Sequence, residues 1–149
     1  MPRHYHTNIP ASYLVLFRQS KVLLLRRAHT GFWDGSYSLP AGHVELGENF
    51  CGAMVREAFE EIGAILVPED LRVVHVMHRK SDTDGSERVD TFFVAEKWKG
   101  DIMNKEPEKC DDLSWFLLDE LPENIIPYIR HVIECIQRKE FYSEYGWSS

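Results

Sequence analysis

Cysteine is scarce in this chain: Cys51, Cys110 and Cys135 are odd in number, far apart, and form no CxxC pair or Cys/His finger spacing. That excludes a disulfide framework and a structural zinc ribbon, and the thiols read as reduced, packed residues of a cytoplasmic protein. Basic residues are outnumbered, with 17 Lys and Arg against 24 Asp and Glu for a formal charge of −7. Such a surface repels phosphate backbones and anionic lipids, so neither duplex nucleic acid nor a membrane is an expected partner. No window reaches the ~18 apolar residues of a membrane-spanning helix, and Met1 to Pro10 holds His4 and His6 where an apolar signal segment would lie. Repeats and low-complexity linkers are absent as well. One soluble domain over 1–149 is therefore expected, inside the usual range of ~100–200 residues.

What the chain does have is clear hydrophobic periodicity. Ala11 to Phe17 and Lys21 to Leu25 are apolar runs joined by Arg18-Gln19-Ser20, the pattern of a hairpin of buried strands. Tyr37-Ser38-Leu39 is a short strand stopped by Pro40. A helix is expected over Asn49 to Ile62, capped by Asn49 and stopped by Gly63. Leu71 to Lys80 and Arg88 to Lys97 flank a polar Asp-Gly turn, a second hairpin, and Leu113 to Leu118 is one more strand. Ile125, Ile126, Ile129, Val132, Ile133 and Ile136 recur at helical spacing, with Pro127 placed to start the helix. That stripe either packs on the sheet or forms a homodimer seam, and its spacing suits core packing. The tail Phe141 to Ser149 is too short to classify. The order of elements predicts an α+β fold with a mixed β-sheet and a helix on each side.

Within the first helix, Glu57, Glu60 and Glu61 stand at i, i+3 and i+4, so three carboxylates share one arc while Val55, Phe59 and Ile62 fall on the opposite one. A charged stripe is ordinarily a solvated face, yet like charges at i, i+4 repel with no structural return. Oxygen donors crowded in this way suit a hard cation, Mg²⁺ or Mn²⁺, together with substrate phosphates.

The surrounding residues sharpen this. Gly42, five residues, Glu48, seven residues, then Arg56-Glu57-Ala58-Phe59-Glu60-Glu61-Ile62-Gly63-Ala64 closely resembles the Nudix box, the loop-helix-loop signature of the Nudix hydrolases. The match runs from Gly42 to Ala64 and departs only at Ala58 and Ala64, where the pattern prefers a bulkier apolar residue. The resemblance extends less specifically to the family's α/β/α sandwich. It implies that Glu57 and Glu61 bind metal, that Glu60 is a further ligand or positions the attacking water, and that the Gly42 carbonyl completes the shell. It also implies that Arg56 holds a carboxylate through its guanidinium fork, with Glu48 as an architectural partner. Glu106 resembles the extra catalytic carboxylate of MutT-like members, with Glu96 and Glu108 as rivals.

The implied chemistry is hydrolysis of a nucleoside diphosphate linked to X. Arg27, and less directly Arg26, would meet phosphate, although an exposed basic pair explains them equally. Trp33, Tyr37 or Phe32 would stack on a base or else pack the core, and Asn124 would read a purine edge or cap a helix. His43 reads as an incidental loop histidine, and His75 and His78 lack ligand spacing. No proline lies between Pro68 and Pro107, which weighs against ADP-ribose, and the longer signature of NADH hydrolases is absent. A small MutT-like nucleoside triphosphate pyrophosphohydrolase, acting on standard or oxidised nucleotides, fits best. The alternatives are an ADP-ribose or nucleoside-diphosphate-sugar hydrolase, a non-catalytic nucleotide sensor of the same fold, and an isomerase that would need Cys51 or Cys110 in the cleft.

Overall fold

The computed structural model describes residues 1–148; Ser149, the end of the tail considered above, lies outside the described residues. Strand β1 (Ile9–Val15) lies between β5 (Ala41–His43), antiparallel, and β7 (Glu87–Ala95), parallel. Strand β6 (Leu71–Lys80) continues the sheet antiparallel to β7, and β9 (Tyr142–Tyr145) closes it parallel to β6. The sheet is thus mixed, in the order β5-β1-β7-β6-β9. A second sheet is built on β3 (Lys21–Arg27), with β8 (Cys110–Leu117) along one edge and the short β2 (Phe17–Arg18) and β4 (Tyr37–Ser38) sharing the other.

Alternation divides the apolar residues of β1 and β7 between the two faces of the sheet. Tyr13, Val15 and Phe92 face helix α2 (Pro127–Gln137), while Leu14 and Phe93 face helix α1 (Phe50–Ile62). Both faces are covered, so apolar residues occupy both sides of these strands, with Ser12, Asp90 and Thr91 as buried polar exceptions. The expected α/β/α sandwich follows, a mixed sheet with a helix on each side.

Helix α1 begins and ends where its sequence says. The Asn49 side chain accepts from the Gly52 N–H at 2.7 Å, and Gly63, at φ 75°, donates to the Phe59 carbonyl. Its buried face is Ala53, Met54, Ala58 and Ile62. Of the residues expected opposite the carboxylates only Ile62 is in the core; Phe59 is exposed and Val55 half-buried. Ala58 is buried in the cluster that also holds Leu14 of β1, and Glu57 and Glu61 lie against Gly42 and Ala41 of β5. In α2, Pro127 occupies the first turn, and Ile129, Val132 and Ile133 are buried in the core, the core-packing alternative for this stripe.

Two expectations about strands change. The run Ala11 to Phe17 is not one strand of a hairpin: β1 ends at Val15, and at the buried Leu16 the chain crosses to the second sheet, where only Phe17 and Arg18 pair with β3. The tail supplies β9, which the buried His75 ties to β6, with Nε2 2.7 Å from Ser143 Oγ and Nδ1 2.8 Å from the Glu140 carbonyl.

Candidate active site

A cleft of about 800 Å³ opens between the two sheets and α1. Gly42, Arg56, Glu57, Glu60, Glu61 and Glu106 all line it. The start of α1 is pinned to β1 by Ser12 Oγ, which donates to the Phe50 carbonyl at 2.8 Å. The helix then runs alongside β5, where Gly42 pairs with Ser12.

Gly42 is glycine for a steric reason. A Cβ at this position would overlap the Glu57 carboxylate, and the Gly42 backbone itself has ordinary dihedrals, so closeness rather than conformation demands the missing side chain. Next to it, the Ala41 N–H donates to Glu61 Oε1 at 3.3 Å. Burial, then the neighbouring Glu57 and Glu106 charges, pushes the Glu61 carboxyl well above the ordinary carboxylate range. Glu106 is half-buried on the loop before β8 and is raised too, first by burial and then by Glu57, Glu108 and Glu60 against the opposing pull of Lys109. Its rivals Glu96 and Glu108 are exposed and stand outside the cleft.

Arg56 organises the rim. Its Nε and Nη2 grip both oxygens of Glu48 at 2.7 and 2.9 Å, Nη1 donates to Glu57 Oε1 at 2.6 Å, and Nη2 reaches the His43 carbonyl at 3.2 Å. The fork holds the Glu48 carboxyl down at about 2. Glu60 also turns toward Arg56 Nη1, at 3.4 Å. With Glu57 and Glu60 drawn to Arg56, no three acidic, histidine or cysteine side chains enclose an ion among the described residues. The donor set nevertheless fits a hard divalent cation: it is all oxygen, crowded with like charge, and pressed against a strand by the Gly42 notch. Half of the Glu60 side chain is exposed, so its reorientation meets little packing.

Of the six side chains expected to meet substrate, Arg27 and Phe32 line the cleft, with Arg27 Nε donating to the Phe32 carbonyl at 2.6 Å, while Arg26 Nε donates to Asp111 at 2.7 Å. Trp33 packs against the core instead, its indole N–H buried without a partner. Tyr37 is buried on β4 and donates its hydroxyl to Asp112, edge-on to Phe116. Asn124 holds the loop after β3, donating from Nδ2 to the Gly35 carbonyl at 2.8 Å. Tyr37 and Asn124 are diverted by long-range partners and Trp33 by core packing, none of them visible in the local sequence. Phe32, not Trp33, is the aromatic of that loop at the cleft.

The cleft also gathers residues with no local motif: Tyr13 from β1, Tyr128 from α2, Lys109 before β8, and Arg88 after the β6–β7 turn. Tyr13 and Tyr128 join hydroxyls at 2.9 Å. Only the alternation of β1 and the hairpin pairing of β6 with β7 could have hinted at them.

The NUDIX domain model matches residues 7–135. The chain is 30% identical over 119 residues to the NAD-capped RNA hydrolase NudC of Escherichia coli O157:H7, a match covering 79% of this chain and 43% of that protein. The Shigella flexneri protein of the same name is 31% identical over 118 residues with the same coverage. The chain therefore spans less than half the length of the curated relatives it matches. Among solved structures, the MutT NUDIX hydrolase from Burkholderia pseudomallei aligns with a TM-score of 0.78 at 26% identity, over 87% of this chain and 98% of that one. A NUDIX hydrolase from Nitrosomonas europaea has the same fold, with a TM-score of 0.77 at 22% identity over 91% and 93% of the two chains.

Proposed function

The chain belongs to the NUDIX domain family, and from that premise we propose that it is a metal-dependent pyrophosphohydrolase that cleaves a nucleoside triphosphate, standard or oxidised, to the monophosphate and pyrophosphate. The observation that carries this reading is the juxtaposition of Gly42, Glu57 and Glu61: a glycine that must lack a side chain, pressed on carboxylates that repel one another. A folded protein tolerates such crowding where a cation offsets it.

Glu57, Glu61, Glu60 and the Gly42 carbonyl would hold Mg²⁺ or Mn²⁺, with Glu106 within the same cleft. When bound, the ion offsets diphosphate charge and lowers the pKa of an attacking water. The remaining work falls to the chain. Arg56, locked by Glu48, fixes the angle at which Glu57 is presented, which a lysine could not do through two parallel bonds. Glu106 is the carboxylate best placed to take the proton of the water, because the loop that carries it is tied down where the Lys109 and Cys110 N–H groups both donate to the Glu106 carbonyl. Arg27 and Lys109 supply positive charge from the second sheet for the phosphate oxygens.

The test is to incubate the protein with Mg²⁺ and separate substrates, following product masses beside Glu61→Gln. The panel holds nucleoside triphosphates, their oxidised forms, ADP-ribose, NADH and NAD-capped RNA, the last suggested by the name of the sequence relatives. Mononucleotide plus pyrophosphate, lost in the variant, is the expected result. AMP from ADP-ribose alone would move the substrate to a nucleoside diphosphate sugar, and cleavage of NADH or capped RNA alone would move it to dinucleotides. Binding without turnover of any substrate would refute the hydrolase reading in favour of a sensor.

A further inference from the structure

Strands β6 and β7 place two arginines directly opposite one another, Arg79 and Arg88. Facing like charges destabilise a strand pair unless each is neutralised. Arg79 is neutralised: it is buried, its Nε donates to Asp90 Oδ2 at 2.7 Å, and its guanidinium lies 3.8 Å from the Tyr128 ring centre. Only Oδ2 is used this way: Asp90 Oδ1 has no hydrogen-bond partner among the described residues, and the Arg88 charge also acts on this carboxylate from beyond ion-pair distance. Arg88 makes no such direct pair with a buried acid among the described residues: its ion pair is to Asp84, 3.6 Å from Nη2 and more than half exposed, although the Arg88 side chain is itself only 13% exposed. An ion pair of that length with a solvated partner contributes little.

The Arg88 side chain is nonetheless held in place. Its Nε donates to Ser86 Oγ at 3.0 Å and its Nη1 to His43 Nε2 at 3.2 Å. His43 directly follows Gly42, the glycine pressed on Glu57, and both Arg88 and His43 line the cleft. The first sheet thus presents a positioned guanidinium, with no direct ion pair to a buried acid, beside the residue that follows Gly42, while the second sheet presents Arg27 and Lys109 to the same space.

We propose that Arg88 is a substrate-anchoring residue that takes phosphate oxygens of a polyphosphate chain, and that it biases the site toward substrates whose X group is itself phosphate. The reasoning rests on the pyrophosphohydrolase reading for the cleft's use, and on the unbalanced Arg79–Arg88 pair for the role of this residue. A guanidinium offers two parallel N–H donors to a phosphate, which ammonium does not. His43 is then a positioning residue that orients Arg88.

The probe is inorganic tripolyphosphate with Mg²⁺, measured by calorimetry on the full chain, together with KM and kcat for a nucleoside triphosphate and for ADP-ribose. Losing one hydrogen bond to a charged group predicts an affinity loss for Arg88→Gln of roughly 10- to 100-fold, seen in tripolyphosphate binding and in the triphosphate KM. The kcat should hold within about threefold and ADP-ribose should be less affected. Arg88→Lys should fall between, and it keeps the test intact if the glutamine variant does not fold. Asp84→Asn should leave affinity unchanged or tighter. Tripolyphosphate affinity indifferent to Arg88, a nucleotide effect without a tripolyphosphate effect, or a fall in kcat at constant KM would each overturn the assignment. Arg88-dependent tripolyphosphate binding without hydrolysis of any nucleotide would uphold Arg88 and refute the hydrolase reading; hydrolysis unaffected by Arg88 would do the reverse.

Discussion

Replacing Gly42 by alanine should separate activity from stability. The backbone there lies outside the left-handed region, so alanine fits the strand and by itself gains roughly 0.5–1 kcal/mol over glycine. Against this, the new Cβ overlaps the Glu57 carboxylate, which must swing away and give up the 2.6 Å bond from Arg56. A hydrogen bond to a charged group is worth about 1.5–3 kcal/mol, and solvent screening at this half-buried rim reduces that figure. The two changes nearly cancel, leaving a net loss of about 1 kcal/mol or less. For a chain of 149 residues this is a shift in Tm of about 2–4 °C at most. Catalysis is far more sensitive, because displacing an active group by ~1 Å can cost about 100-fold. The assay is kcat/KM on the best nucleotide of the panel beside a thermal melt followed by circular dichroism. The expected result is a loss of about two orders of magnitude at nearly constant Tm. Activity within threefold of the parent would refute the close-approach argument, and a large fall in Tm would show that Gly42 serves the fold instead.

Three further outcomes follow from other sites. Glu61→Gln removes a buried like charge beside Glu57 and Glu106, so melts without added metal should show a more stable protein than the parent, while Mg²⁺ should raise the parent's Tm more than the variant's; a less stable metal-free variant would contradict the crowding. Gly63→Ala forces a side chain into a left-handed residue at φ 75° whose Cβ would meet the Asp101 carbonyl at 3.1 Å, and that strain costs about 1–2 kcal/mol, or roughly 2–8 °C at this size; an unchanged melt would dismiss Gly63 as the terminator. Burial lowers the His75 pKa below its ordinary 6.5, so the unfolded chain takes up a proton first. The stability tied to the neutral ring is therefore complete above pH 6.5 and is lost as pH falls from there toward the folded value. Melts at pH 7.5 and 5.5 should differ more for the parent than for His75→Gln, and equal differences would sink the assignment.

How far each feature could be read ahead of the structure depends on the distance over which its cause acts. Helix α1 was legible end to end because Asn49, Gly63 and the 3.6-residue period act within a turn or two of the chain. Glu57, Glu60 and Glu61 were legible as one arc for the same reason, and Arg56 with Glu48 through the resemblance to the Nudix box. The fate of Trp33, Tyr37 and Asn124 was not, since Asp112 and Gly35 divert two of them and core packing the third. The run through Leu16 reads as one apolar strand because a residue that crosses between sheets is as buried as one within a sheet. Strand β9 depends on pairing with β6, and four residues carry too short a pattern to announce that.

By itself, then, the sequence determined the identity and order of the helices, the carboxylate arc and the family signature around it. All of these are local patterns of capping, periodicity and spacing. Only the tertiary structure decided that Gly42 meets Glu57, and that the pairing of β1 with both β5 and β7 brings Arg88 beside His43. Those contacts join residues 15 to 45 positions apart, and what brings them together is the packing of both faces of a sheet rather than any preference of the residues for their neighbours in the chain.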